Sequence, residues 1–96
     1  MGMTEIRIAD KLKQFSTYED GFRIYKIIKT AIDEEKSVVL SFDSITAVPS
    51  SFVNGCFSKL IDDIGVDNVK KSVRITKSTV IINNMIRRKF NLATNA

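Results

Sequence analysis

Two serines at a predicted helix start are the side chains best placed to do chemistry in this chain of 96 residues. Ser50 and Ser51 follow Pro49 and open a helical pattern whose first turn has no acidic side chain. A helix N-terminus carries about half a unit of positive charge and free N–H donors, so it would stabilise a phosphate there. We interpret both serines as candidate phosphorylation sites. The alternative is that a serine caps the helix, which is worth about 1 kcal/mol.

Other catalytic groups are scarce. The chain has no histidine, which is the commonest general base and transition-metal ligand. It has one cysteine, which excludes an internal disulfide and a CxxC pair. That residue, Cys56, lies on an apolar stripe of a predicted helix, so we interpret it as a core residue and not as a nucleophile. The acidic side chains of segments 33–35 and 62–63 are interpreted as solvent-exposed charges at helix ends, and their spacing is not that of metal ligands. We predict a protein that is not an enzyme and uses no metal or cofactor.

Three strands are predicted around these residues. The segments Thr4–Ile8, Ser37–Phe42 and Ser72–Thr76 alternate in polarity or run apolar and β-branched. The run Val38-Val39-Leu40 is apolar on both faces, which is typical of a central strand covered on both sides.

Three helices are predicted between and after the strands. The first follows Thr17, which with Asp20 forms a capping-box arrangement; the second runs from Ser50 or Ser51 to Ile64. Gly65 is then a natural residue to end that helix. The third starts near Ser78 and ends at Arg87-Arg88-Lys89. Its predicted core-facing side chains are Ile81, Ile82, Met85 and Ile86.

This alternation predicts a single α/β domain over residues 1–96, with a tail that frays from about residue 91. The order β-α-β-α-β-α favours a small sandwich, with helices packed on a narrow, mainly parallel or mixed sheet. The first helix is more apolar than one face of such a sheet requires. Its core stripe is predicted to be Tyr18, Phe22, Tyr25, Ile28 and Ile32. Because Ile24 and Ile27 widen that stripe, they are candidates for a homodimer contact.

Positive charge is concentrated in the last third of the chain. Residues 66–96 hold seven basic side chains and one acidic side chain, a net charge of +6, whereas the first 65 residues hold eight basic and ten acidic ones, a net charge of −2. These cations can be explained without a ligand, because basic side chains stabilise the C-terminus of a helix and keep the edge strand of a sheet soluble. The alternative is a nucleic-acid surface, and its candidate residues are Arg74, Lys77, Arg87 and Arg88.

The N-terminal segment lacks the features of a signal peptide, and no apolar run approaches the roughly 20 residues that span a bilayer. We therefore expect a cytoplasmic protein that does not contact a membrane.

The segment LSFDSITAVPSSFVNGCFSKL, residues 40–60, resembles the STAS domain of anti-sigma-factor antagonists and sulphate-transporter tails. In that motif an Asp precedes a phosphorylatable Ser and a Gly follows. Here Pro49 stands at the Asp position, Ser50 at the phosphorylatable serine and Phe52 at the Gly position. The match is closer to a bacterial STAS-like subfamily of unknown function, through residues 15–21, 38–42, 51–53 and 59–65, and it extends over about residues 14–90.

The resemblance implies the fold just described and a regulatory role in partner switching, with a protein partner such as a GHKL-type ATPase or kinase. It places the docking surface on the loop before the second helix and on the start of that helix. The residues so implied are Asp43, Ser44, Ser50, Ser51, Phe52 and Asn54. Phe52 can also be interpreted as a buried flank of the helix rather than an exposed anchor.

Overall fold

A parallel sheet of three strands organises the computed structural model, which describes residues 2–95 and the side chains of residues 2–92. The strands are β1 (Gly2–Arg7), β2 (Lys36–Ser41) and β3 (Val73–Thr76), in the order β1-β2-β3. Gly2 pairs with Lys36 and Val38 pairs with Val73. The predicted narrow parallel sheet, with Val38 and Leu40 on its central strand, is confirmed.

Five helices are present among residues 2–95. They are α1 (Ile8–Lys11), α2 (Tyr18–Asp33), α3 (Ser50–Ile64), α4 (Val66–Ser72) and α5 (Val80–Asn95). The predicted α2 and α3 are confirmed, including the capping box of Thr17 and Asp20. The sequence pattern missed α1 and α4 because each is shorter than the window in which a helical period can be detected.

The last helix differs from its prediction. It continues to Asn95 instead of ending at Lys89, so the cations at 87–89 lie within the helix and not in its last turn. The tail predicted to fray from residue 91 is helical as far as Asn95, and Ala96 lies outside the described residues. Ile81, predicted to face the core, is 60% exposed, whereas Ile82 and Ile86 are buried.

One face of the sheet meets the core, and the other face is open around Val39. Ile6 pairs with Leu40 and Leu40 with Ile75, and this face meets the core. On the other face Glu5 and Arg74 are exposed, and Val39 between them is only half-buried. The prediction that β2 is buried on both faces is therefore wrong. It rested on Val39, which is the one apolar residue of β2 on this second face.

Helix α2 packs against α3 through a pair of glycines. A Cβ atom added at Gly55 would overlap the carbonyl oxygen of Tyr18, and one added at Gly21 would overlap that of Phe52. The α carbons of these two glycines face each other, so the backbones of α2 and α3 are in direct contact with no side chain between them. Glycine is required here for space, because any side chain would separate the helices.

The apolar excess of α2 is absorbed inside the chain. Ile24 is fully buried and Ile27 is half-buried, while Tyr18, predicted in the core stripe, is 45% exposed. Because α2 contacts both α3 and β2, it needs two apolar faces rather than one. Ile24 therefore cannot form the predicted homodimer contact.

A hydrogen bond joins α2 to the end of α3. Tyr25 Oη donates to Asp63 Oδ2 at 2.5 Å, and Lys59 Nζ pairs with the other oxygen at 3.1 Å. The hydrogen bond to Asp63, reinforced by burial, raises the pKa of Tyr25 from 10.0 to about 12. The same bond, with the Lys59 contact, lowers the pKa of Asp63. Asp63 is exposed at the end of α3, as predicted, and it is also partnered by Tyr25 and Lys59.

These shifts predict an alkaline loss of stability that depends on Tyr25. Its raised pKa stabilises the fold fully below pH 10, and this contribution is lost as the pH rises from 10 toward 12. The Tyr25→Phe variant should be less stable at neutral pH and should lose less stability than wild type over the alkaline range. Urea unfolding across that range measures the difference. Tyr18→Phe, at an exposed tyrosine, is the matched control, and identical profiles for wild type and Tyr25→Phe would contradict the assignment.

Candidate interaction site

The loop between β2 and α3 begins at the carboxyl end of the sheet, where Arg7 holds it. The Arg7 guanidinium donates to Asp43 Oδ2 at 3.2 Å and to Ser44 Oγ at 3.0 Å, and it also pairs with Asp10 at 2.7 Å. Ser44 adopts a φ of 71°, a left-handed conformation that these contacts help to maintain. Asp43 and Ser44, predicted to bind a partner, are therefore engaged within the chain and fix the shape of the loop.

The middle of the loop has buried side chains that hold it against the core and exposed residues on its outer side. Ile45 and Val48 are buried, and Thr79 Oγ1 donates to the Thr46 carbonyl oxygen at 2.9 Å, which ties the loop to the residues before α5. Thr46, Ala47 and Pro49 are exposed. The loop is thus a fixed surface feature attached to both β1 and the start of α5.

The serines at the start of α3 do not cap it. Pro49 is the N-cap residue, and no side chain accepts a cap hydrogen bond there. The predicted capping role of Ser50 or Ser51 is therefore wrong, because both serines lie one or two positions too far into the helix. Ser50 is exposed, whereas Ser51 is half-buried and its hydroxyl donates to the Ser16 carbonyl oxygen at 3.4 Å. Of the two candidates for phosphorylation, Ser50 is the accessible one.

Phe52 lies in the core and not on the surface. Its side chain is 0% exposed, and its ring meets that of Phe15 edge to face with the centroids 6.4 Å apart. The predicted exposed anchor for a partner is wrong, and the alternative of a buried helix flank is confirmed. Residue 52 faces inward because α3 is wrapped on two sides, by α2 and by α5.

Ser50 and Asn54 open onto a groove between α3 and α5. The groove has a volume of about 230 Å³, an apolar floor and two cations on its α5 side. Its remaining lining residues are Val53, Met85, Leu92, Arg88 and Lys89. Leu92 is 65% exposed, so the groove carries accessible apolar surface next to the exposed serine. The sequence alone could not reveal this site, because α3 and α5 meet only in the folded chain.

The four cations predicted to form a nucleic-acid surface do not lie together as one set. Arg88 lies in the groove beside Ser50, whereas Arg87 lines a separate cleft between α4 and α5. Arg74 projects from the open face of the sheet, and Lys77 follows β3 with a φ of 53°. Arg87 and Arg88 point about 100° apart on α5 and line different pockets in the folded chain. The prediction that all four cations form one nucleic-acid surface is therefore wrong, because Arg88 lies in a different pocket from Arg87.

Cys56 is a core residue. It is 1% exposed, and burial raises the pKa of its thiol far above the ordinary value, so the reactive thiolate is suppressed. Within the described part of the chain, no three acidic or cysteine side chains come close enough to hold a metal ion.

Comparison with known families identifies the chain. The model of the STAS-like domain of unknown function (DUF4325) matches residues 20–82, from the first turn of α2 to the first turn of α5. The chain belongs to this family. The match includes the whole loop of the candidate site, Ser50 and the α3 side of the groove, and it agrees with the small α/β fold. Comparisons with curated proteins and with solved structures gave no significant match.

The helices of this STAS-like domain were also compared with the requirements for crossing a bilayer. Over residues 2–95, none of them combines the necessary length with sufficient apolar character.

Proposed function

We propose that this STAS-like domain is a non-catalytic protein-interaction module, and that it acts in a bacterial regulatory switch by changing partners. The observation that carries the proposal is the position of Ser50. This exposed serine stands at the start of α3, beside an apolar groove whose opposite wall presents Arg88 and Lys89. An exposed apolar floor with a charged rim is the arrangement that protein interfaces use.

The groove supplies a means of switching. A phosphate on Ser50 would bring a charge close to −2 and three acceptor oxygens to the first turn of α3. Arg88 and Lys89 are the cations that line the same groove, and neither forms an ion pair with any described residue. A phosphate bound to them would tie α5 to α3 across the groove and obstruct its floor. The unmodified form would then bind the partner and the phosphorylated form would release it, and a GHKL-type kinase is the class of enzyme suited to the modification.

The test is a binding titration with a partner identified from the native host by cross-linking at the groove. The Asn54→Arg variant places a long cation in the groove, and we expect it to weaken binding at least about tenfold, or 1.4 kcal/mol. Ser50→Asp should weaken binding in the same direction, and Ser50→Ala should not. Isothermal calorimetry with the purified partner measures each dissociation constant.

Asn84→Arg is the matched control, since Asn84 is exposed on α5 and does not line the groove. Thermal unfolding of each variant separates loss of binding from loss of fold. Unchanged affinity for Asn54→Arg would reject the groove as the docking surface. Consistently unmodified Ser50 in tandem mass spectra of protein from the native host would reject the phosphorylation switch.

A further inference from the structure

No ion pair among the described residues involves a cation from the last third of the chain. The five ion pairs among the described residues use Arg7, Lys29, Lys36 and Lys59, all from the first 59 residues. The seven basic side chains of residues 66–96 enter none of these pairs, and Asp67 is the one acidic residue in that stretch. Their charge therefore remains available to an external anion.

Four of these seven cations line two adjoining clefts. One cleft, of about 330 Å³, lies at the amino ends of β2 and β3 and is lined by Lys70, Lys71 and Arg74. The second, also of about 330 Å³, lies between α4 and α5 and is lined by Lys70 and Arg87. Lys70 lines both clefts, so the two adjoin at this residue, and together we call them the cationic clefts.

The first cleft also has apolar lining from Met3, Val38, Val39 and Val73. The polar part of the remaining lining suits phosphate groups. Ser37 and Ser72 contribute hydroxyls to the first cleft, and Asn83 and Asn91 contribute amides to the second. No acidic side chain is among the described residues that line either cleft. Serine, asparagine, lysine and arginine are the side chains that proteins use against the phosphates and sugars of nucleic acids.

The distribution of the charge distinguishes between anions. Cations that converge on one point favour a single phosphate, whereas here they extend through two clefts along the surface. In the second cleft Ile86 is buried and Phe90 is half-buried, so this cleft lacks the exposed aromatic anchor that protein partners favour. We propose that the cationic clefts bind the phosphodiester backbone of a nucleic acid without reading its sequence.

This surface is separate from the groove beside Ser50. Arg87 lines the cationic clefts and Arg88 lines the groove, on different sides of α5. The proposal therefore does not rest on the proposed function, and variants of one surface leave the other intact.

Fluorescence anisotropy with labelled oligonucleotides tests the proposal. Single-stranded RNA, single-stranded DNA and duplex DNA of about 20 nucleotides each serve as probes, and we expect micromolar binding at low salt. With up to four phosphate contacts, affinity should fall roughly 50- to 150-fold as salt rises from about 50 to about 200 mM. The double variant Lys70→Gln/Arg87→Gln should weaken binding about tenfold or more. Its plot of log affinity against log salt concentration should be shallower by the equivalent of about two phosphate contacts.

The double variant Lys11→Gln/Lys13→Gln is the matched control, because it removes the same charge from exposed residues beyond the carboxyl end of β1. We expect its affinity to stay within about twofold of wild type. Equal weakening by both double variants would show an effect of net charge alone and overturn the proposal. So would the absence of binding to all three probes, or polyglutamate binding as tightly as an oligonucleotide of equal charge.

Discussion

The Gly55→Ala variant is expected to lose about 3 kcal/mol or more of unfolding free energy, the upper range for overpacking a core. An alanine methyl at this position would overlap the backbone carbonyl of Tyr18, and the α carbon of Gly21 would lie 3.0 Å away. Backbone atoms cannot move aside by changing rotamer, so the two helices must separate. Gly21→Ala meets the backbone of α3 in the same way and should have a similar effect.

The sign of this effect is opposite to that expected for an isolated helix. Alanine is favoured over glycine inside a helix by about 1 kcal/mol, so a glycine with no packing role should gain stability on substitution. The clash must therefore exceed that gain. The double variant should lose less than the two single losses combined, because the first substitution already separates the helices that the second would push apart.

Urea unfolding measures these free energies, and Gly2→Ala is the matched control. A Cβ at Gly2 meets nothing within 4 Å, so its stability should change by less than about 0.5 kcal/mol. A Gly55→Ala variant as stable as wild type would show that α2 and α3 do not cross at these glycines.

Replacing Phe52 by alanine is expected to cost about 3–5 kcal/mol, as for other large side chains removed from a core. Its ring is fully buried and packs edge to face against Phe15. Against a total stability of about 5 kcal/mol, the lower end for a typical domain, this loss leaves between a few per cent and about half of the molecules unfolded. The effect on any partner would follow from unfolding and not from a lost contact.

Phe52→Leu provides the comparison, because it keeps most of the apolar volume and should lose clearly less stability than Phe52→Ala. Thermal unfolding monitored by circular dichroism ranks the two variants. If Phe52→Ala retained the stability of wild type and lost only partner affinity, the ring would have to be a surface anchor, contrary to its burial.

Local signals in the sequence predicted the main elements correctly. The capping box at Thr17 and Asp20 located α2, and Gly65, with a φ of 87°, ended α3 as expected. The β-branched run at 38–40 identified the central strand. These signals succeed because capping, glycine conformation and strand patterning act over a few residues, which the sequence displays directly.

Features that depend on how the helices pack could not be predicted in this way. The helical wheel places Ile24 beside the expected core stripe of α2, but it does not show that α3 covers that side as well. Gly55 and Gly21 are 34 residues apart, and their spacing carries no sign that they meet. The groove beside Ser50 and the cationic clefts likewise combine residues from separate elements, so each needs the tertiary structure to be seen.

The parallel strand order also governs how this chain can fold. Paired residues such as Gly2 and Lys36, or Val38 and Val73, are separated by about a third of the chain, so no hairpin can form early. Each pairing must first close a long loop, at an entropic cost that local contacts do not offset. We therefore expect the sheet to assemble late, after its crossover helices have brought β1 and β3 to the two edges of β2.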